Sequence, residues 1–169
     1  MKKTLVAAAM LLSATVANAS ELPFFAGANI GMNTEEPYVY SGGINAGYNV
    51  MSVLGVTAAV EGTYDIGVPK DAPATGDRNI THTFGVNAIP TFAIPGMGIS
   101  VYGLGGIGYR INSDDALKNF GVYNLGAGVK YAVTSNIDAD LRFKRTEAID
   151  EANMPKAENR VTVGVQYKF

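Results

Sequence analysis

Apolar and polar side chains take turns along most of this chain, most strictly at its end. Val161, Val163, Val165, Tyr167 and Phe169 alternate with Arg160, Thr162, Gly164, Gln166 and Lys168. Successive side chains of a β-strand point to opposite faces, so this spacing predicts a strand with one apolar and one polar face. The segment from residue 54 repeats it: Leu54, Val56, Ala58, Val60, Tyr64, Ile66 and Val68 oppose Thr57, Glu61, Thr63 and Asp65, with Gly62 interrupting the apolar row. Further on, Ile137, Ala139, Leu141 and Phe143 oppose Asp138, Asp140, Arg142 and Lys144.

The same reading with weaker contrast covers Phe24 to Met32, Ile44 to Val50, Phe84 to Ala88, Ile99 to Ile111 and Tyr123 to Tyr131. It predicts eight strands, over residues 24–33, 40–50, 54–67, 80–92, 98–111, 120–132, 137–145 and 160–169. Their connections alternate in length. Met51 to Val53, Ala93 to Met97 and Thr134 to Asn136 are tight, whereas Thr34 to Val39, Val68 to Asn79, Asn112 to Asn119 and Thr146 to Asn159 are longer and carry Pro, Gly, Asp and Asn. Threaded up and down, the strands bring aromatic residues into two belts: Phe24, Tyr48, Phe92, Tyr131, Tyr167 and Phe169 toward one end, and Tyr40, Tyr64, Tyr109, Tyr123 and Phe143 toward the other.

A soluble β-sandwich also alternates, with its polar face in water. Its strands average about five or six residues, however, while a strand tilted across hydrocarbon needs about 9 to 11. Strand length, loop asymmetry and aromatic belts together predict an all-β fold: an eight-stranded antiparallel up-and-down transmembrane β-barrel. Closing the sheet removes edges that would leave backbone N–H and C=O groups unpaired in lipid. Eight strands enclose an interior that side chains fill, so no open solute channel is expected.

The first residues read differently. Lys2 and Lys3 precede an apolar run from Leu5 to Ala14 that closes on Ala17-Asn18-Ala19, the pattern of a cleaved signal peptide. The expected division is a signal peptide over 1–19 and a barrel over 20–169. Without the two leader lysines, 11 basic against 15 acidic side chains leave a formal charge of about −4, which gives no reason to expect a nucleic-acid partner. The chain has no cysteine, so no disulfide framework supports the fold.

The polar faces carry the candidate chemistry. Glu61, Asp65, Asp138 and Asp140 share the barrel interior with Arg110, Lys130, Arg142, Lys144, Arg160 and Lys168. An isolated ion in a narrow lumen is costly, so these residues are expected to form a network of salt bridges, with Glu61 and Arg142 paired at mid-depth. Gly103-Leu104-Gly105-Gly106-Ile107-Gly108 matches a dinucleotide fingerprint by letters. That fingerprint needs a helix to follow, and Tyr109-Arg110-Ile111 continues as strand. His82, the one histidine, falls on the outward face near the loop end, where a hydrolytic triad has no serine neighbour. Glu147, Asp150 and Glu151 lack the spacing of a calcium loop. The sequence therefore implies no catalytic residue, metal or cofactor.

Laid out this way, the chain resembles the eight-stranded outer-membrane proteins of the OmpA-membrane-domain, OmpX and opacity type. The most specific element is the ending Val163-x-Val165-x-Tyr167-x-Phe169, similar to the carboxy-terminal signal read by the outer-membrane assembly machinery. The stretch from Asn124 to Lys144 is similar to the sixth and seventh strands of that group. The resemblance implies a monomeric, multi-pass protein of the bacterial outer membrane, with both termini periplasmic and outer-membrane lipid around it. Its implied role is non-enzymatic, structural or adhesive toward host surface components. A small transport protein is the alternative, and a lipid-modifying barrel enzyme a more distant one.

Overall fold

The computed structural model describes residues 24–35, 38–53, 55–70, 80–113, 119–150 and 157–169. Leu54, most of three long loops and residues 1–23, which include the expected signal peptide, lie outside them. Eight strands run in chain order: β1 Phe24–Asn33, β2 Val39–Val53, β3 Val56–Pro69, β4 Thr81–Ile94, β5 Ile99–Asn112, β6 Phe120–Ala132, β7 Ile137–Ala148 and β8 Glu158–Lys168. Each pairs antiparallel with its neighbours, and β8 pairs with β1 to close the barrel.

The ring closes with a stagger. Following paired residues from Phe25 through Gly47, Glu61, Asn87, Gly106, Asn124 and Thr146 leads to Glu158, yet Phe25 itself pairs with Lys168, ten residues further along β8. Such an offset tilts the strands against the barrel axis. Strands of 10 to 15 residues, so tilted, are long enough to cross hydrocarbon.

Side-chain alternation sorts the wall as a membrane requires. Ile30, Ile107 and Val165 expose more than half of their surface, whereas Glu61 is fully buried and Arg142 only 6% exposed. This reverses the usual distribution, because the apolar rows meet lipid and the charges meet one another. At one end, which we call the turn end, connections are tight. Gly55 (φ 81°) and Gly96 (φ 76°) supply left-handed backbone there, and Thr134 Oγ1 accepts from the amides of Asn136 and Ile137 at 3.3 and 3.0 Å. The longer connections lie at the opposite, loop end.

Most boundaries shift by one or two residues from the pattern-based ones, and three changes bear on the pairing. β2 continues to Val53 after a register shift between Asn49 and Met51. β7 runs on to Ala148 and β8 begins at Glu158, so Thr146 pairs with Glu158 instead of opening a loop. The extensions of β7 and β8 carry polar side chains on both faces, beside the buried Ala148. Thr146 turns inward to donate to Asn124 Oδ1 at 2.9 Å, while Arg145 and Glu147 pair on the outside.

Candidate functional site

The lumen is organised around β3 and β7, which face each other across the ring. From β7, Arg142 donates through Nη1 to Glu61 Oε1 at 2.8 Å and through Nη2 to Oε2 at 3.0 Å. Asn45 Nδ2 and Asn87 Nδ2 also donate to Glu61, at 2.8 and 3.4 Å. One turn of the pleat nearer the loop end, Lys144 Nζ reaches Asp65 Oδ2 at 2.6 Å, again from β7 to β3. Both bridges run from β7 to β3, from residues two apart on β7 to residues four apart on β3.

Tyr102 of β5 completes the central cluster. Its hydroxyl donates to Asp140 Oδ1 at 2.6 Å and accepts from Arg142 Nε at 2.9 Å. It reaches β7 by lying over Gly128 of the intervening β6, its register partner, where any Cβ would collide with the ring. Phe25 lies over Gly47 in the same way. Between the rings of Phe25 and Tyr102, 5.1 Å from each centroid, sits Lys130 Nζ, which donates to Gln166 Oε1 at 2.7 Å.

Two further groups occupy the ends. At the turn end Lys168 Nζ pairs with Asp138 at 2.8 Å. Toward the loop end Glu158 accepts from Arg110, from Arg160 Nη2 at 3.0 Å and from Asn33 Nδ2 at 2.7 Å. Apolar side chains fill what the charges leave: Phe25, Ala59, Ile89, Tyr102 and Leu104 form one cluster, and Phe120, Val122 and Ala148 another.

All ten charged positions singled out from sequence face the interior. Arg142 meets Glu61 and Asp140, Asp65 meets Lys144, Asp138 meets Lys168, and Arg110 and Arg160 converge on Glu158; Lys130 meets Gln166 and two rings. The pattern missed Glu158, placed in a loop although it shares the parity of Arg160 and Thr162. It also missed the amides of Asn45 and Asn87 and the apolar interior residues, which carry no signal in a face read as polar.

The other residues weighed from sequence lie apart from this network. His82 lies on the outward face, its ring stacked 6.1 Å from that of Tyr64 and its Nδ1 2.9 Å from the Tyr64 hydroxyl. Gly103 to Gly108 lie wholly within β5. Among the described residues no group of three or more His, Asp or Glu side chains is placed to hold a metal ion. At the chain's end Val163, Val165 and Tyr167 point outward, and the Phe169 amide donates to the Phe24 carbonyl at 3.0 Å.

An apolar exterior around a charged, filled interior, in a sheet without edges, defines a transmembrane β-barrel. The chain belongs to the outer membrane protein beta-barrel family, whose model matches residues 4–169. The family and the fold place it in the outer membrane. No curated protein matches it in sequence. Among solved structures, Neisserial surface protein A is 20% identical, with a TM-score of 0.62, 86% of this chain covered and 96% of that one. The attachment invasion locus protein Ail of Yersinia pestis, solved with the heparin analogue sucrose octasulfate, is 16% identical, with a TM-score of 0.54 and 86% and 96% covered. The outer membrane enzyme PagL is 16% identical, with a TM-score of 0.55 and 86% and 99% covered. At these identities the likeness is one of fold.

Proposed function

We propose that this protein is a non-enzymatic barrel of the outer membrane with a structural or adhesive role, displaying its four longer connections to the cell's surroundings. In this reading residues 1–19 are a leader removed on export, both termini are periplasmic, and the barrel is monomeric. Val163, Val165, Tyr167 and Phe169 form the row read by the assembly machinery.

The observation that carries the reading is the bridge from Arg142 to Glu61 with Tyr102, Asp140 and Lys130 packed around it. A lumen spanned at mid-depth by buried, mutually bonded charges favours a plug over a solute path. What remains for interaction are the loops, which the barrel positions. Ail, with the same fold, binds a heparin analogue, which supports host surface glycans as the class of partner to screen first.

Binding of intact cells to immobilised host surface components, with each long loop deleted in turn, tests the adhesive role. Loss of binding with a particular loop is expected, and unchanged binding after all four deletions would refute it. Planar-bilayer conductance tests the closed lumen. Steady ion-selective openings that vanish in Glu61→Ala or Arg142→Ala would establish a transport protein instead. PagL shows that this fold can carry an enzyme; here lipid turnover that collapses in His82→Ala would be required.

A further inference from the structure

One seam of the wall is interrupted. Pairing between β4 and β5 runs from Thr81 with Asn112 to Ala88 with Gly105 and resumes, in the same register, at Thr91 with Tyr102. Ile89 and Pro90 on one strand, and Gly103 and Leu104 on the other, are skipped. The other seven seams pair without a gap, apart from the shift at Asn49 and Met51.

Pro90 accounts for the break. It keeps its place opposite Ala58 of β3, so the N–H that proline lacks is the one that would have faced β5. Gly103, opposite it, thereby loses the ladder donor for its carbonyl. Pro90 lies two residues from Phe92 of the turn-end belt, inside the hydrocarbon, where an unpaired backbone group costs several kcal/mol.

Both sides of the break are apolar and the outer side is bare. Pro90 is exposed, and its outward neighbours are Ala88, Gly103 and Gly105. A Cβ on Gly103 would meet nothing nearer than Pro90 Cγ at 3.9 Å, and one on Gly105 nothing nearer than Leu125 Cδ2 at 3.8 Å. Directly behind stand Ile89 and Leu104, members of the apolar cluster with Phe25, Ala59 and Tyr102.

We propose that the β4–β5 seam at Pro90 is a lateral port, where the strands part and one hydrocarbon chain of a membrane lipid reaches Ile89 and Leu104. The seam opens on the lipid-covered face, and the side chains lining it, Pro90, Ala88, Ile89 and Leu104, are all apolar. Such a lining favours an acyl chain and penalises a polar solute. The port rests on the membrane-spanning fold alone and is independent of any role of the loops.

The test refolds the protein into phosphatidylethanolamine–phosphatidylglycerol liposomes containing a phospholipid with a diazirine in the middle of one acyl chain, and maps photo-adducts by mass spectrometry. Adducts are expected on inward Ile89 or Leu104 as well as on outward Val60 and Leu141. The inward adducts should be lost in Pro90→Ala, which restores the donor, and in Gly103→Val, which covers the break from outside; the outward ones should persist. A heat-dependent gel shift establishes that each variant is folded, and either one suffices for the comparison. Wild-type adducts confined to outward side chains, or inward adducts indifferent to the folded variants, would overturn the port.

Discussion

Arg142 and Glu61 meet from opposite walls of the barrel, four strands apart in either direction around the ring, through two N–H···O bonds of 2.8 and 3.0 Å. The pair acts as a strut across the lumen, and Lys144 with Asp65 sets a second strut beside it. Both charges of the first are almost fully desolvated, so the loss of one partner is far more costly than the loss of both. Glu61→Ala or Arg142→Ala alone should destabilise the barrel by about 3–5 kcal/mol. The combination Glu61→Leu with Arg142→Met should recover part of that loss. Urea unfolding of the refolded protein in micelles measures all three, and a double variant no more stable than the worse single one would contradict the strut.

Inward glycines give the large interior side chains their room. Gly128→Ala should cost about 1–3 kcal/mol, the usual penalty of overpacking, because its Cβ would enter the Tyr102 ring. Tyr102→Leu in the same chain should reduce that penalty. Gly62 is the control: it faces outward, and a Cβ there meets nothing nearer than the Ala46 carbonyl oxygen at 3.8 Å, so Gly62→Ala should leave the unfolding midpoint unchanged or raise it. An equal cost at both glycines would refute the distinction.

The barrel was legible in the sequence because two solvents act on it at once. Lipid selects one parity along each strand and the lumen the other, so Leu141 and Arg142 declare the wall they belong to. Legibility fails where that contrast ends. Beyond the apolar belt β7 and β8 carry polar side chains on both faces, and Thr146 to Ala148 and Glu158 read as loop although they are paired strand. Alternation also says nothing about interior partners. Glu61 meeting Arg142, and Asp65 meeting Lys144, depends on ring closure and stagger, which no single strand encodes. Phe25, Ile89 and Leu104 went unrecognised because an interior glycine, or a neighbour of the same kind, lets an apolar residue sit among polar ones.

Glu158 holds two arginines together. Arg110 and Arg160 approach it from β5 and from within β8, and Asn33 adds a third donor, all largely out of water. Glu158→Ala leaves two like charges side by side, and should cost about 1.5–3 kcal/mol or more, the worth of hydrogen bonds to a charged group. Glu158→Ala combined with Arg160→Met should be more stable than Glu158→Ala alone. The opposite order in urea titrations would show that the arginines do not repel.

Phe169 separates assembly from stability. It stands at the turn-end rim, its amide bonded to the Phe24 carbonyl and its ring edge-on to Tyr167 with centroids 4.9 Å apart. The backbone bond survives any non-proline substitution. A charge at the interface costs a barrel only about 0–1 kcal/mol, against several at the membrane midplane. Phe169→Asp should therefore refold in detergent with nearly the wild-type urea midpoint. In cells the same variant should be depleted from the outer membrane, because the outward row of Val163, Val165, Tyr167 and Phe169 is proposed to be what the assembly machinery reads. Quantifying the folded, heat-shifted band in outer-membrane fractions decides it. Normal yield would remove the recognition role from Phe169, and low yield with an equally lowered midpoint would attribute the defect to folding alone.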